Sequence, residues 1–259
     1  MKLERELTLQ IIKHLAGTTK EERCGLVVES AGIKFYIPCH NSHPVPSDNF
    51  CISQADYVAA SVRGKVVAVC HSHTEKGLEH LSSNDRIQQY RNNIPWILHS
   101  HRGEVTELSV WEPVRKLKGR EFSEGYLDCY DSFRDFYALA GKHLPDFSPS
   151  DGYRIEGWYK EPGATSPFTD NIENFGFNKV KDHNDMIPGD VIFSLLGAKV
   201  PNHVSVYVGN NMIFHHLPGK LSMVEPLRGF YLKYTHSIWR SGNHKDLNIS
   251  GAIELLNED

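Results

Sequence analysis

The segment 203–216 reads HVSVYVGNNMIFHH and indicates the fold of the second half of the chain. Its first part alternates, so that His203, Ser205 and Tyr207 share one face of a strand and valines occupy the other. The turn residues 209–211, GNN, lead into a second apolar strand that ends in two histidines. The segment therefore predicts two neighbouring strands with polar side chains along one face.

Upstream of these strands, a helix is predicted to begin at Cys129, because Phe133 and Phe136 fall on one face at helical spacing. A helix N-terminus and a nearby imidazole both lower the pKa of a thiol. His203 would be that imidazole, and a polar residue such as His215 on the neighbouring strand would orient it. On spacing alone, a core cysteine and an exposed strand histidine are the commoner explanation.

A second histidine cluster follows the clearest strand of the first half, 65–70, KVVAVC. His71 and His73 are two residues apart, so both project from the same face of a strand. Asp85 lies twelve residues beyond His73. Three such ligands and one open position are typical of a hydrolytic zinc site.

Three observations weaken the prediction of a metal site. A His-x-His pair occurs readily on surface strands. Ser82 and Asp85 together form an ordinary helix capping box. A competing pair, His99 and His101, ends another apolar strand.

Three motif pieces occur in the order that the JAB/MPN metalloprotease family has, and they resemble it over residues 5–112: ERCGL at 22–26, HSH at 71–73, and Ser82 with Asp85. The resemblance implies zinc ligands at His71, His73 and Asp85, a water-activating base at Glu22 and an oxyanion-stabilising hydroxyl at Ser82. The following Ser-x-x-Asp also favours His71 and His73 over the later pair. Thr74 stands where the family usually has proline, and the loop that follows is one residue longer than usual.

The second half resembles NlpC-type cysteine peptidases over residues 122–240. The motifs that carry this resemblance are LDCYD at 127–131, PGDV at 188–191, HVSVYVG at 203–209 and FHH at 214–216. The family has a circularly permuted papain-like fold and cleaves peptide bonds of cell-wall peptidoglycan, commonly beside a D-amino acid. The resemblance implies that Cys129 is the nucleophile, His203 the base and His215 the third polar member.

Several assignments around this triad stay open. Strand alternation predicts that His216 points away from His203. Asp190 is interpreted as structural. A tyrosine that assists the oxyanion could be Tyr126, Tyr130 or Tyr153.

A length of 259 residues suits two domains. We predict an α+β protein with a JAB/MPN-like α/β sandwich at 1–112, a linker at 113–121 and a permuted papain-like domain at 122–245. An acidic tail is expected at 246–259, with fraying from Ile253 to the last residue. The basic run at 115–120 is interpreted as a solvated part of the linker.

Composition excludes several classes of protein. The net charge of −4 argues against a general nucleic-acid binder. No window approaches the roughly 18 apolar residues of a membrane span. The first residues lack the apolar core of a signal peptide, and five cysteines without framework spacing favour a reducing compartment. Folding in cytoplasm is therefore expected.

The order of the two modules resembles the tail tip assembly proteins of lambda-like siphophages. That resemblance implies assembly in the host cytoplasm, a place at the virion tail tip, other tail tip proteins as partners and peptidoglycan peptide as substrate. The alternative is a non-enzymatic assembly scaffold in which both peptidase folds are degenerate. A deubiquitinase-like enzyme would account for the first half alone.

Overall fold

The computed structural model describes residues 1–101, 108–147 and 157–258. The chain divides into two compact units, Met1–Val114 and Arg115–Asp259, and both are mixed α/β. Within the described ranges, no helix combines the length and the apolar character that crossing a bilayer requires.

The first unit is built on a five-stranded sheet of order β2-β1-β3-β4-β5, in which β3 and β4 are parallel and the other pairs are antiparallel. Its elements are α1 (Arg5–Leu15), β1 (Cys24–Ser30), β2 (Ile33–Cys39), α2 (Gln54–Arg63), β3 (Lys65–His73), α3 (Ser83–Asn92), β4 (Trp96–Ser100) and β5 (Leu108–Trp111).

Helices cover both faces of this sheet because its strands are apolar on both sides. Ile11 and Leu15 of α1 pack in one cluster with Ala68, and Ala60 of α2 packs in another cluster with Val69. Residues 69, 71 and 73 of β3 share a face, since side chains alternate along a strand. The apolar stretch of β3 therefore positions the two histidines at its end.

The second unit is built on a six-stranded antiparallel sheet of order β10-β9-β8-β7-β11-β6. Its elements are α4 (Cys129–Leu139), α5 (Pro167–Asn171), β6 (Phe177–Val180), β7 (Val191–Ser194), β8 (His203–Gly209), β9 (Met212–His215), β10 (Met223–Pro226), α6 (Phe230–Lys233), β11 (Thr235–Ser241) and α7 (Ile249–Glu258). Short 3-10 turns lie at Trp158–Lys160, His183–Asp185 and His244–Asp246.

Helix α4 begins at Cys129, as the sequence predicts, and it packs against β8 and β9. Asp128 caps it by accepting hydrogen bonds from the backbone N–H groups of Tyr130 and Asp131. Its apolar face, which includes Phe133 and Phe136, is fully buried. The cap and the buried face together fix where the thiol lies at the start of the helix.

The structure corrects two expectations about the ends of the second unit. The tail expected to fray is helical through Glu258: α7 packs on α4, and Leu255 and Leu256 are buried. The prediction rested on the acidic composition and overlooked apolar residues at helical spacing.

The basic run is only partly solvated. Arg115 and Lys116 are exposed. Leu117 is fully buried, and the buried Arg120 pairs with Asp135 at 2.6 Å.

Residues 145–185 are rich in proline, glycine, aspartate and asparagine, a composition that favours long loops, but their described part contains α5 and β6. Residues 148–156 lie outside the described ranges, and Tyr153 is among them. Strand β10 was not predicted, because its four residues include a proline and show no alternation.

Candidate active sites

The end of β3 and the start of α3 bring three predicted metal ligands together. Nε2 of His71 lies 3.1 Å from Nε2 of His73, and these atoms lie 3.6 Å and 3.4 Å from Oδ2 of Asp85. Among the described residues, these three form the one cluster of histidine, cysteine and carboxylate groups close enough to share a metal ion. His99 and His101 belong to no such cluster there.

These separations fit a tetrahedral zinc ion. Ligands about 2.0–2.1 Å from a tetrahedral centre lie about 3.3 Å from each other, and the three measured separations bracket that value. Nδ1 of His73 donates to the carbonyl of Leu78 at 2.8 Å, which leaves Nε2 with a lone pair. The donor set of two imidazoles and one carboxylate is also one that zinc prefers.

The electrostatics of this cluster follow from burial and from its own charges. Burial raises the pKa of Asp85, but the charge of His71 and the hydrogen bonds of His71, His73 and Ser82 outweigh that effect and hold its pKa well below the usual range. Burial lowers the pKa of His71. A neutral imidazole and an ionised carboxylate are the forms in which these groups bind metals.

Glu22 lies beside the cluster, with Oε1 3.9 Å from Nε2 of His73. Burial raises its pKa to about 8. Both Glu22 and His73 line a cavity of about 720 Å³ that also contains Asp85 and Ser82. Phe50 lies in the wall of this cavity and stacks on His71, with ring centroids 4.6 Å apart.

Ser82 is placed beside the cluster but acts as the N-cap of α3. Its hydroxyl donates to Oδ2 of Asp85 at 2.7 Å and accepts from the backbone N–H of Asp85 at 3.2 Å. A hydroxyl has one proton to donate, and in this arrangement Ser82 donates it to Asp85. The capping interpretation of Ser82 is confirmed, and its oxyanion role stays a prediction.

In the second unit, Cys129 and His203 line one cavity of about 250 Å³. Cys129 is the first residue of α4, and His203 is the first residue of β8. Both side chains are buried. Trp158 and Phe168 supply aromatic walls to the same cavity.

A chain of hydrogen bonds runs from His203 to the neighbouring strands. Nε2 of His203 lies 3.0 Å from Nδ1 of His215, and Nε2 of His215 lies 2.6 Å from Oε1 of Glu225. The hydroxyl of Tyr231 donates to the same oxygen at 2.5 Å. The sequence prediction missed Glu225 and Tyr231, because they lie on the unpredicted elements β10 and α6.

Burial lowers the pKa of His203 well below its ordinary value, and the neighbouring His215 and His216 lower it further. Burial also lowers the pKa of His215, although Glu225 opposes this. Both rings are therefore neutral at neutral pH. A neutral imidazole with a lone pair can act as a general base.

The choice of His215 over His216 as the partner of His203 is confirmed, because the ring of His215 is the one that bonds to Nε2 of His203. His216 lines the same cavity as Cys129 and His203. Strand β9 ends at His215, so the alternation of side chains does not extend to His216. Asp190 has the expected structural setting, since it is buried and pairs with Arg240 at 2.8 Å.

The two described candidates for the oxyanion tyrosine, Tyr126 and Tyr130, are not among the residues that line the cavity of Cys129. Tyr126 is largely exposed, and the hydroxyl of Tyr130 donates to the carbonyl of Pro145 at 3.0 Å. Tyr153 lies outside the described residues. None of the three acquires a stronger claim from the structure.

Comparison with known proteins gives a consistent family. Residues 117–240 match the model of the NlpC/P60 family. The chain is 36% identical over 207 residues to tail tip assembly protein K of Escherichia phage lambda, a match that covers 80% of this chain and 96% of that relative. It is 28% identical over 233 residues to tail tip assembly protein K of Escherichia phage N15, covering 89% and 92%.

Solved structures are more distant. An NlpC/P60 family protein from Bacillus cereus superposes with a TM-score of 0.35 at 12% identity, covering 88% of this chain and 66% of that structure. NlpC1 from Trichomonas vaginalis gives a TM-score of 0.35 at 12% identity, covering 85% and 70%.

Proposed function

We propose a function from one premise: the chain belongs to the tail tip assembly protein K family and contains an NlpC/P60 domain at residues 117–240. The second unit would be a cysteine endopeptidase that acts on peptidoglycan. Cys129 would be the nucleophile, His203 the base and His215 the group that orients the base. The enzyme would assemble with other tail tip proteins in the host cytoplasm and act at the virion tail tip.

One observation carries this proposal: the thiol at the start of α4 and the imidazole at the start of β8 line the same cavity. The helix N-terminus favours the thiolate form of Cys129. His203 is neutral and held by His215, so one ring nitrogen remains to receive a proton. Trp158 and Phe168 would offer apolar surface to a bound peptide.

The reaction would proceed in two steps. The Cys129 thiol gives its proton to His203, and the sulfur attacks the peptide carbonyl to form a thioester while the amine leaves with that proton. Water then gives a proton to His203 and hydrolyses the thioester. The proton returns to the sulfur, which regenerates the thiol and releases a carboxylic acid.

The test is release of new amino termini from purified peptidoglycan. Wild type should release them, and Cys129→Ala should reduce release at least about 100-fold, since the nucleophile is gone. Cys51→Ala is the matched control, because Cys51 is an exposed cysteine of the first unit and should be dispensable. Equal release by wild type and Cys129→Ala would end the proposal.

For the first unit we propose a JAB/MPN-like zinc peptidase module with ligands His71, His73 and Asp85. Zinc, when bound, acts as a Lewis acid toward a carbonyl. The carboxylate form of Glu22, which a neighbouring dication favours over the protonated form, would accept a proton from water. The support is the tetrahedral spacing of the three ligand atoms.

The alternative is an assembly scaffold without peptidase activity, which the names of the two relatives favour. Zinc analysis and the reactivity of the Cys129 thiol separate the two functions. Absence of bound zinc together with ordinary reactivity of the Cys129 thiol would favour the scaffold.

A further inference from the structure

We infer that Glu225 is a positioning residue, which fixes the order of protons along His215 and His203 and so directs a ring lone pair toward Cys129. The inference rests on the proposed role of Cys129 and deepens it. Glu225 lies on β10, which pairs with the strand that carries His215.

The order of protons follows from the chemistry of the carboxylate. An ionised glutamate can only accept hydrogen bonds, so Nε2 of His215 must carry the proton that joins it to Oε1 of Glu225. A neutral imidazole has one N–H, so Nδ1 of His215 is then an acceptor. Nε2 of His203, at 3.0 Å, must donate to it. Nδ1 of His203 is left with the lone pair.

Two neutral imidazoles alone would not define this direction. The reverse order, with protons on Nδ1 of both rings, keeps the same hydrogen bond between them. It would place a proton on the His203 nitrogen that must receive one from Cys129. An acceptor that cannot donate, placed at the far end of the pair, excludes that order.

The position of Glu225 is itself fixed. Tyr231 donates to Oε1 of Glu225, and its ring packs edge-on against His215 with centroids 5.1 Å apart. Hydrogen bonds from Tyr231 and His215 lower the pKa of Glu225 despite partial burial, so the carboxylate form is favoured. Among the described residues, two further groups lower the pKa values of these histidines: His216 acts on His203, and Lys220 acts on His215.

The carboxylate also compensates positive charge. When His203 takes the thiol proton, the resulting imidazolium is linked through His215 to a negative group. Because opposite charge favours the ionised form, the ion pair of Cys129 and His203 should form at lower pH than without Glu225. Glu225→Gln keeps a similar shape and an acceptor oxygen but removes this charge.

The experiment measures the rate at which iodoacetamide alkylates Cys129 between about pH 5 and pH 9, followed by mass spectrometry of the peptide containing Cys129. Glu225→Gln and Glu225→Ala should raise the midpoint pH by about one unit. Glu173→Gln, an exposed glutamate of the same unit, should leave it unchanged. Circular dichroism checks folding, and Glu225→Gln alone decides if Glu225→Ala does not fold.

Two results would overturn the inference and are distinguishable. If His203→Ala raises the midpoint but both Glu225 variants keep the wild-type value, Cys129 is activated without help from Glu225. If wild type itself has the ordinary midpoint near about 8.5 and His203→Ala does not move it, the proposed function fails together with the inference.

Discussion

At the residue scale, burial controls the proton affinity of the groups in both sites. It raises the pKa of Glu22 to about 8 and lowers that of His203 well below the ordinary value. The two shifts have the same origin, because burial disfavours the charged form of either group. Without a bound metal, each unit therefore holds one buried group, Glu22 or His203, whose neutral form is favoured and which can exchange a proton.

The lowered pKa of His203 predicts how stability depends on pH. Below about pH 6.5 the unfolded chain protonates this histidine and the folded protein does not, so the second unit loses stability as pH falls, by up to about 1.4 kcal/mol per pH unit. Hydrogen exchange of β8 amides at pH 7.5 and pH 5.5 measures this loss. His203→Gln should reduce it, and an equal loss in that variant would contradict the assignment.

Zinc binding is a second prediction at this scale. Purified wild type should contain about one zinc ion per chain by elemental analysis, and His71→Ala should lose it. His101→Ala removes a histidine of the competing pair and should retain the metal. Loss of zinc in His101→Ala with retention in His71→Ala would contradict the prediction and place the metal at His99 and His101.

At the element scale, a helix cap links stability to the metal cluster. Ser82 caps α3 and holds Asp85, while Ser53 caps α2 with the same pair of hydrogen bonds to Asp56. Ser82→Ala and Ser53→Ala should each cost about 1 kcal/mol of unfolding free energy. Only the first loses a hydrogen bond to a ligand carboxylate.

Zinc affinity therefore separates the two caps. Titration with a competing chelator should show about tenfold weaker binding in Ser82→Ala, the loss typical of a second-shell partner, and wild-type affinity in Ser53→Ala. Equal affinity in the two variants would mean that the cap does not hold Asp85 for the metal.

Sequence patterns predicted the elements with strong periodicity. α4 and β8 were found because their apolar residues recur at helical or alternating spacing, and these two elements begin at Cys129 and His203. β10 has no such pattern, so Glu225 was missed. The partner of a buried histidine depends on which strands pair, and a single sequence does not encode that pairing in any local signal.

At the scale of the whole molecule, two compact units each carry one candidate site. The sites use different chemistry, so their activities should separate. Cys129→Ala should abolish peptidoglycan cleavage and keep zinc, whereas His71→Ala should lose zinc and keep cleavage. Cleavage is measured by release of amino termini and zinc content by elemental analysis, both on the same preparation of each variant. Loss of both properties in either single variant would contradict two independent sites.

The family also sets the context at this scale. The two phage relatives are tail tip assembly proteins, and the peptidase proposal would add a chemical activity to that role. The division of the chain into two units was predicted from motifs that lie far apart in the sequence. The boundary was less well predicted, because Leu117 and Arg120 of the expected linker are buried in the second unit.

The pairing of Cys129 with His203 is tested by the rate of Cys129 alkylation at pH 7 in wild type and in His203→Ala. We expect a rate at least about tenfold lower in His203→Ala, because the thiol loses its base. His236→Ala removes an exposed histidine of the same unit and should keep the wild-type rate. Equal rates in wild type and His203→Ala would show that His203 does not activate the thiol.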